Sequence, residues 1–163
     1  MSKTIVKNNK FNLIDIFLRI IPDQHLFTVC EEVTNFDKKL KEIVELMVGI
    51  MNECGEKILS ANQVGFDKRI ILVKDIADGI IVLVNPEISF LPCDYVKIKE
   101  TCTSIPKYSC VVKRPLKVRI SCRDLTGKRS VFDAENELAY RIIHGVEHLD
   151  GVLITAYDDN FGK

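Results

Sequence analysis

Two of the three histidines in this 163-residue chain stand four residues apart, in the segment His144-Gly145-Val146-Glu147-His148. On a helix, positions i and i+4 share a face one turn apart, so both imidazoles reach a common point, as in sites that hold one metal ion. The same spacing also suits a helix with two unrelated surface or half-buried histidines, and spacing alone does not choose. A tetrahedral centre needs a third protein ligand, and a catalytic one leaves the fourth position to water. Six cysteines are available. Cys30 sits among apolar neighbours and Cys122 alternates with Ile120, so packing is expected of both. Cys54, Cys93 and Cys110 are read as packing or surface thiols as well. Cys102 differs: it lies in the polar stretch Glu100–Pro106 between two strand-like runs, where a thiolate can project from a loop.

These groups need a scaffold. From Thr34 or Asn35, either a good N-cap, the series Phe36, Leu40, Ile43, Val44, Met47, Val48, Met51 steps by fours and threes and predicts an amphipathic helix ending before Gly55. Five strand-like runs follow, Arg69–Lys74, Ile80–Asn85, Tyr95–Lys99, Ser109–Lys113 and Leu116–Arg123. They are punctuated by Asp78-Gly79, Asn85-Pro86, Arg114-Pro115 and Thr126-Gly127. Connections this short favour antiparallel pairing. A second helix is expected over residues 134–149, closed by Gly151, and it would carry both histidines. The order helix, strands, helix predicts a single α+β domain over residues 1–163, with residues 1–20 as an N-terminal extension packed on it as a strand or short helix.

Composition narrows the function classes. Lys and Arg total 23 and so do Asp and Glu, giving zero formal net charge, which argues against a general binder of nucleic acid or membrane surfaces. The cations Lys97, Lys99, Lys107, Lys113, Arg114, Lys117 and Arg119 read as a solvated sheet face, and a ribosomal contact there has no other support. The first twenty residues lack an uninterrupted apolar core and a cleavage site, and no stretch is apolar enough to span a bilayer. The cysteines are therefore read as reduced thiols of a cytoplasmic protein.

Three segments together resemble the peptide deformylases, metal hydrolases of protein maturation that remove the formyl group from the N-terminal methionine of new chains. That family carries GxGxAAxQ, EGCLS and HExxH in this order. The chain has Glu56–Gly65 (EKILSANQVG), Glu100–Pro106 (ETCTSIP) and His144–Gly151 (HGVEHLDG). The resemblance implies antiparallel sheets around a central metal-binding helix, with Cys102, His144 and His148 as ligands of one divalent ion. Fe²⁺ is expected in cells, with Zn²⁺ or Ni²⁺ able to replace it. It implies further that Gln63 and the Thr103 backbone N–H stabilise the oxyanion, and that Glu100, Ile58, Tyr140 and Arg141 stand where the family binds an N-formyl-Met peptide. The chain stops at Lys163, so the C-terminal helix that many members add after the metal helix is not expected.

Departures from the pattern bear on activity. The general-base glutamate of HExxH is Gly145 here, and losing a positioned acid–base group typically costs ~10²–10⁴-fold in rate. Glu147 fits the inverted pattern H-x-x-E-H, in which the flanking carboxylate serves from the other side. It points about 80° from the metal direction, as position 145 does, on the opposite flank. Glu56-Lys57-Ile58 replaces the two glycines that let a peptide approach, and Tyr140 and Arg141 bring a phenol and a cation toward an apolar pocket. Two outcomes follow. One is a hydrolase of weak or altered activity on formyl or another small acyl group. The other is a non-catalytic pseudoenzyme that binds metal or a peptide N-terminus.

Overall fold

The computed structural model describes residues 18–161 apart from residues 76 and 78. The expected N-terminal extension lies outside the described residues up to position 17, and so does Asp78 of the expected Asp78-Gly79 turn. Helix α1 spans Lys38–Cys54 and ends at Gly55 in the left-handed conformation, with φ 70°. Its N-cap is Asp37 rather than Thr34 or Asn35. The Asp37 carboxylate accepts the Leu40 N–H at 3.1 Å, satisfying a donor that has no partner within the helix.

The strands are β1 (Ile58–Ser60), β2 (Ile70–Lys74), β3 (Ile80–Phe90), β4 (Tyr95–Cys102), β5 (Ile105–Pro115), β6 (Lys117–Arg123) and β7 (Arg129–Glu135). Helix α2 covers Asn136–Leu149, and a 3-10 turn, Ile154–Tyr157, follows it. One sheet has the order β1-β2-β3-β6-β7, β4 and β5 form a second, and every strand pairing is antiparallel. The fold is α+β with antiparallel sheets, as the order of elements predicts.

Strand β2 shows how the layers assemble. Its side chains alternate between faces, and both faces are buried. Ile70 and Leu72 join Leu40, Val44, Met47 and Met51 of α1. Ile71 and Val73 join Ala139, Ile142, Ile143 and Leu149 of α2. A third cluster sets Cys102, Ile105 and Val112 of the β4–β5 hairpin against Leu26, Leu153 and Ile154. Burying each Leu or Ile side chain contributes roughly 1.5–3 kcal/mol, so the helix with the histidines is held tightly against the sheet.

Several boundaries differ from the sequence reading. Strand β3 runs through Asn85-Pro86 because the register shifts between Val84 and Glu87. Asn85 takes φ 49° at that bulge, a conformation Asn tolerates, and the missing Pro N–H costs no ladder bond there. Likewise β5 continues to Pro115, and the chain breaks at Leu116 instead. Strands β1 and β7 were not expected: β1 is three residues long, and β7 exposes Val131 while burying only Ala134. Ala134 consequently pairs with Val118 in the sheet rather than starting α2.

Candidate metal centre

Helix α2 presents His144 and His148 one turn apart, both buried. Cys102 is the last residue of β4, at the hairpin tip rather than in an open loop, and is also buried. Its Sγ lies 3.2 Å from His148 Nε2, which lies 3.2 Å from His144 Nε2. The three ligand atoms fall within 4.8 Å of one another. Ligands around one tetrahedral zinc-sized ion, at the usual bond lengths, stand about 3.3 Å apart for two nitrogens and about 3.6 Å for nitrogen and sulfur. The donor set fits one such ion. Two imidazole nitrogens and a sulfur facing one another also need a cation or a proton among them.

Charge is arranged behind the ligands. His144 Nδ1 is 3.2 Å from Glu100 Oε2, the carboxylate–histidine arrangement that orients a metal-binding ring. Glu100 is gripped in turn by Arg114, at 2.7 Å from Nε and 2.9 Å from Nη2. The other edge of Arg114 holds Glu147, at 2.5 and 2.8 Å, and Tyr157 donates its hydroxyl to Glu147 as well. Both oxygens of Glu147 are therefore engaged by Arg114 and Tyr157, which corrects the inverted-motif expectation of a free base at that position. Glu100 is corrected too: it is committed to Arg114 and His144 and is a positioning residue rather than a substrate contact.

The titration of these groups follows. Burial opposes charge on His144, but hydrogen bonds with Cys102 and Glu100 outweigh it and raise its pKa to about 9. Burial and the neighbouring His144 push His148 well below the ordinary histidine value. Burial would raise Glu100, yet Arg114 and His144 lower it to about 2. A carboxyl depressed on folding contributes stability above its unfolded value of 4.5 and loses it as pH falls toward 2. In acid titrations of stability, Glu100→Gln is expected to flatten that part of the profile. A variant that loses stability there as steeply as the wild type contradicts the assignment.

Gln63 sits in the 3-10 turn Ala61–Val64 and is buried. Its Oε1 accepts the Ser60 N–H at 2.9 Å. Its amide nitrogen is thereby turned inward, 3.1 Å from Ser104 Oγ and 3.9 Å from Cys102 Sγ. Thr103 occupies the hairpin turn directly after Cys102. Sequence reasoning missed two residues that anchor this wall. Ser60 Oγ donates to the Gly145 carbonyl at 3.0 Å, and Asn62 Nδ2 donates to the His148 carbonyl at 2.5 Å. The capping-box spacing of Ser60 and Gln63 was the available signal.

The polypeptide deformylase family profile matches residues 18–161 of the chain. The chain belongs to that family. Its sequence is 39% identical over 140 residues to the peptide deformylase of Dictyoglomus thermophilum, covering 84% of this chain and 88% of that protein. The fold matches the peptide deformylase of Synechococcus elongatus, solved with actinonin, at a TM-score of 0.85 and 29% identity, over 99% of this chain and 88% of that one. The Plasmodium falciparum peptide deformylase, solved with an inhibitor, aligns at 0.81 and 33% identity, over 88% of this chain and 89% of that one. A deformylase-like hydrolase fold with a Cys/His/His group at its centre is thereby shown.

Within this deformylase fold, position 145 is sterically closed. A Cβ on Gly145 would stand 2.6 Å from Ile71 Cγ2 and 3.0 Å from Ile58 Cδ1. Ile71 is wholly buried and Cγ2 is attached next to the backbone, so the neighbour cannot easily yield. The roughly 1 kcal/mol that glycine costs a helix is offset by the close approach of α2 to β1 and β2. Arg141 donates to the Lys74 carbonyl at 2.8 Å and pairs with Glu137. Tyr140 is half-buried against the apolar layer beneath α2.

Proposed function

We propose that this chain holds one divalent ion through Cys102, His144 and His148 and removes a formyl or other small acyl group from the N-terminal Met of peptides. Fe²⁺ is the expected ion, with Zn²⁺ or Ni²⁺ as substitutes, and turnover is low because position 145 carries no carboxylate. The observation that carries this reading is the convergence of two imidazole nitrogens and one sulfur at 3.2 Å contacts. An ion bound there supplies Lewis-acid polarisation and activates water. The Gln63 amide N–H₂ and the Thr103 backbone N–H donate to the acyl oxygen as negative charge develops, and one such donor contributes several kcal/mol to a barrier. Ile58, Tyr140 and Arg141 border the approach of the peptide terminus. The described cysteines are all unbridged and no described helix is long and apolar enough to cross a membrane, which supports a cytoplasmic site of action.

The steric closure of position 145 by Ile58 and Ile71 favours one second reading, a pseudoenzyme that keeps the metal and the peptide terminus without turnover. Hydrolysis of a formyl-Met peptide by metal-loaded and metal-stripped wild type separates the two. Metal-dependent release of formate is expected, and a fully loaded protein that releases none sinks the hydrolase reading. Gly145→Glu alone is expected not to raise turnover and to lose about 1–3 kcal/mol by overpacking, measured by urea unfolding. Increased turnover with undiminished stability contradicts the closure of that position.

A further inference from the structure

The fold sorts the seven cations of the strand region into three kinds. Arg114 is buried between two carboxylates. Lys117 and Arg119 belong to the larger sheet and pair with Asp133 and Glu135. Lys97, Lys99, Lys107 and Lys113 remain, all exposed on the β4–β5 hairpin. Among the described residues, none of these four has a side-chain hydrogen bond or an ion pair. Alternation along the two strands buries Glu100, Cys110, Val112 and Arg114 on one face of the hairpin. The opposite face presents Lys97, Lys99 and Thr101 of β4 beside Ser109, Val111 and Lys113 of β5. Lys97 and Lys113 are directly opposite each other, where like charges destabilise a strand pair. Lys99 follows Lys97 on the same face, roughly 7 Å along the strand. The one carboxylate of the two strands, Glu100, lies on the buried face in the grip of Arg114.

We propose that this outer face of the hairpin binds the phosphate backbone of a single RNA strand. A phosphate chain is held by cations alone. A protein interface instead has an apolar core from which lysine is depleted, and stable anchoring at a lipid surface needs apolar burial or an acyl chain besides basic residues. Here three lysines share the face with only Val111 and Tyr95 as exposed apolar groups. Tyr95 stands at the base of the row, with Lys113 Nζ 5.3 Å from its ring centroid. An exposed ring beside a cationic track is how the bases of a single strand are received. At the other end Thr101 and Ser109 are paired across the strands, and their hydroxyls have no partner among the described residues. They can meet the ribose 2′-OH, the group that separates RNA from DNA. Zero net charge on the chain does not cancel this patch, because exposed charges are screened beyond about 10 Å at 0.1 M salt. Docking on this face does not use the metal centre, so the inference stands apart from the hydrolase reading.

The test titrates the full chain into a fluorescein-labelled oligouridylate of about twelve nucleotides, a length within the usual range for single-strand sites, and reads anisotropy. Affinity is expected to fall roughly 20–50-fold between about 50 and 200 mM salt, as three or four phosphate contacts on a single strand predict. Replacing Lys97, Lys99 and Lys113 together with alanine is expected to weaken binding about tenfold or more and to flatten the salt dependence. Arginine at the same three positions should retain binding, since it keeps the charge. A control that replaces Lys39, Lys41 and Lys128 with alanine removes as much charge elsewhere and should stay within about threefold of wild type. Equal losses in the control and the hairpin variant overturn the inference, because net charge alone would then act. So does a hairpin alanine variant that binds the RNA as wild type does. Oligothymidylate of the same length bound as tightly as the RNA overturns RNA as the occupant. Binding to phosphatidylserine vesicles with none to the RNA overturns it in favour of a lipid surface. Urea unfolding should give the alanine variant a midpoint equal to or above that of wild type, since a like-charge pair is relieved. A lower midpoint would show that the lysines serve the fold and overturns the inference as well.

Discussion

Replacing Arg114 with alanine is expected to destabilise the fold by about 3–5 kcal/mol, the range found when one partner of a buried ion pair is removed. The Arg114 side chain is 3% exposed, and the two carboxylates that it separates are 9% and 17% exposed. Without the guanidinium, Glu100 keeps only His144 and Glu147 only the Tyr157 hydroxyl, with nothing between the two carboxylates, and the Tyr157 ring loses the cation 5.2 Å from its centroid. The damage should reach the centre through Glu100, because the His144 ring is oriented by that carboxylate. Metal affinity is expected to fall by roughly 10–100-fold, as when a partner behind a ligand is lost. Arg114→Lys keeps the charge but not the two-edged fork, so it should be milder than alanine yet still impaired. Urea unfolding and a competitive zinc titration measure both effects. A loss under about 1 kcal/mol for Arg114→Ala would show that the two acids are solvated after all.

The importance of Arg114 was not legible in the chain as a string, whereas that of His144 and His148 was. A helical pair announces itself by local spacing, because four residues always bring two side chains to one face. Arg114 acts through Glu100, fourteen residues away, and the two meet only because the hairpin register sets Glu100 opposite Cys110. Read by charge alone, Arg114 fell among the cations of a solvated face, and the structure corrects this: it is buried. The period-two alignment of Cys110, Val112 and Arg114 on the inner face of β5 was the signal that the count of cations obscured. The site residues divide in the same way. Cys102 and Gln63 could be singled out by motif, but no local rule says that Ser60 and Asn62 reach helix carbonyls. Nor does one say that Ile58 covers Gly145, since such contacts depend on how closely two layers approach. The α+β class was readable because it needs only element order, while β1 and β7 were hidden by shortness and by exposure.

Cys102→Ala is expected to abolish metal retention while leaving the fold nearly intact. Cys102 supplies the one thiolate of the group, and so the only formal negative charge placed directly on an incoming cation. The nearest carboxylate, Glu100, is already shared between Arg114 and His144. A doubly charged ion held by two neutral imidazoles in a buried pocket would be left with its charge uncompensated, and burial without compensation is strongly unfavourable. The side chain itself is small and lies at the end of a hairpin, so its loss removes little packing. These two facts predict a specific pattern. Wild type should carry about one ion per chain after dialysis and unfold at a higher temperature with metal than without, since a ligand that binds only the folded state stabilises it. Cys102→Ala should carry almost none, show no metal-dependent shift, and unfold close to the metal-stripped wild type. Metal content equal to wild type would exclude the thiolate as a ligand and leave the two histidines to be explained as an ordinary buried pair.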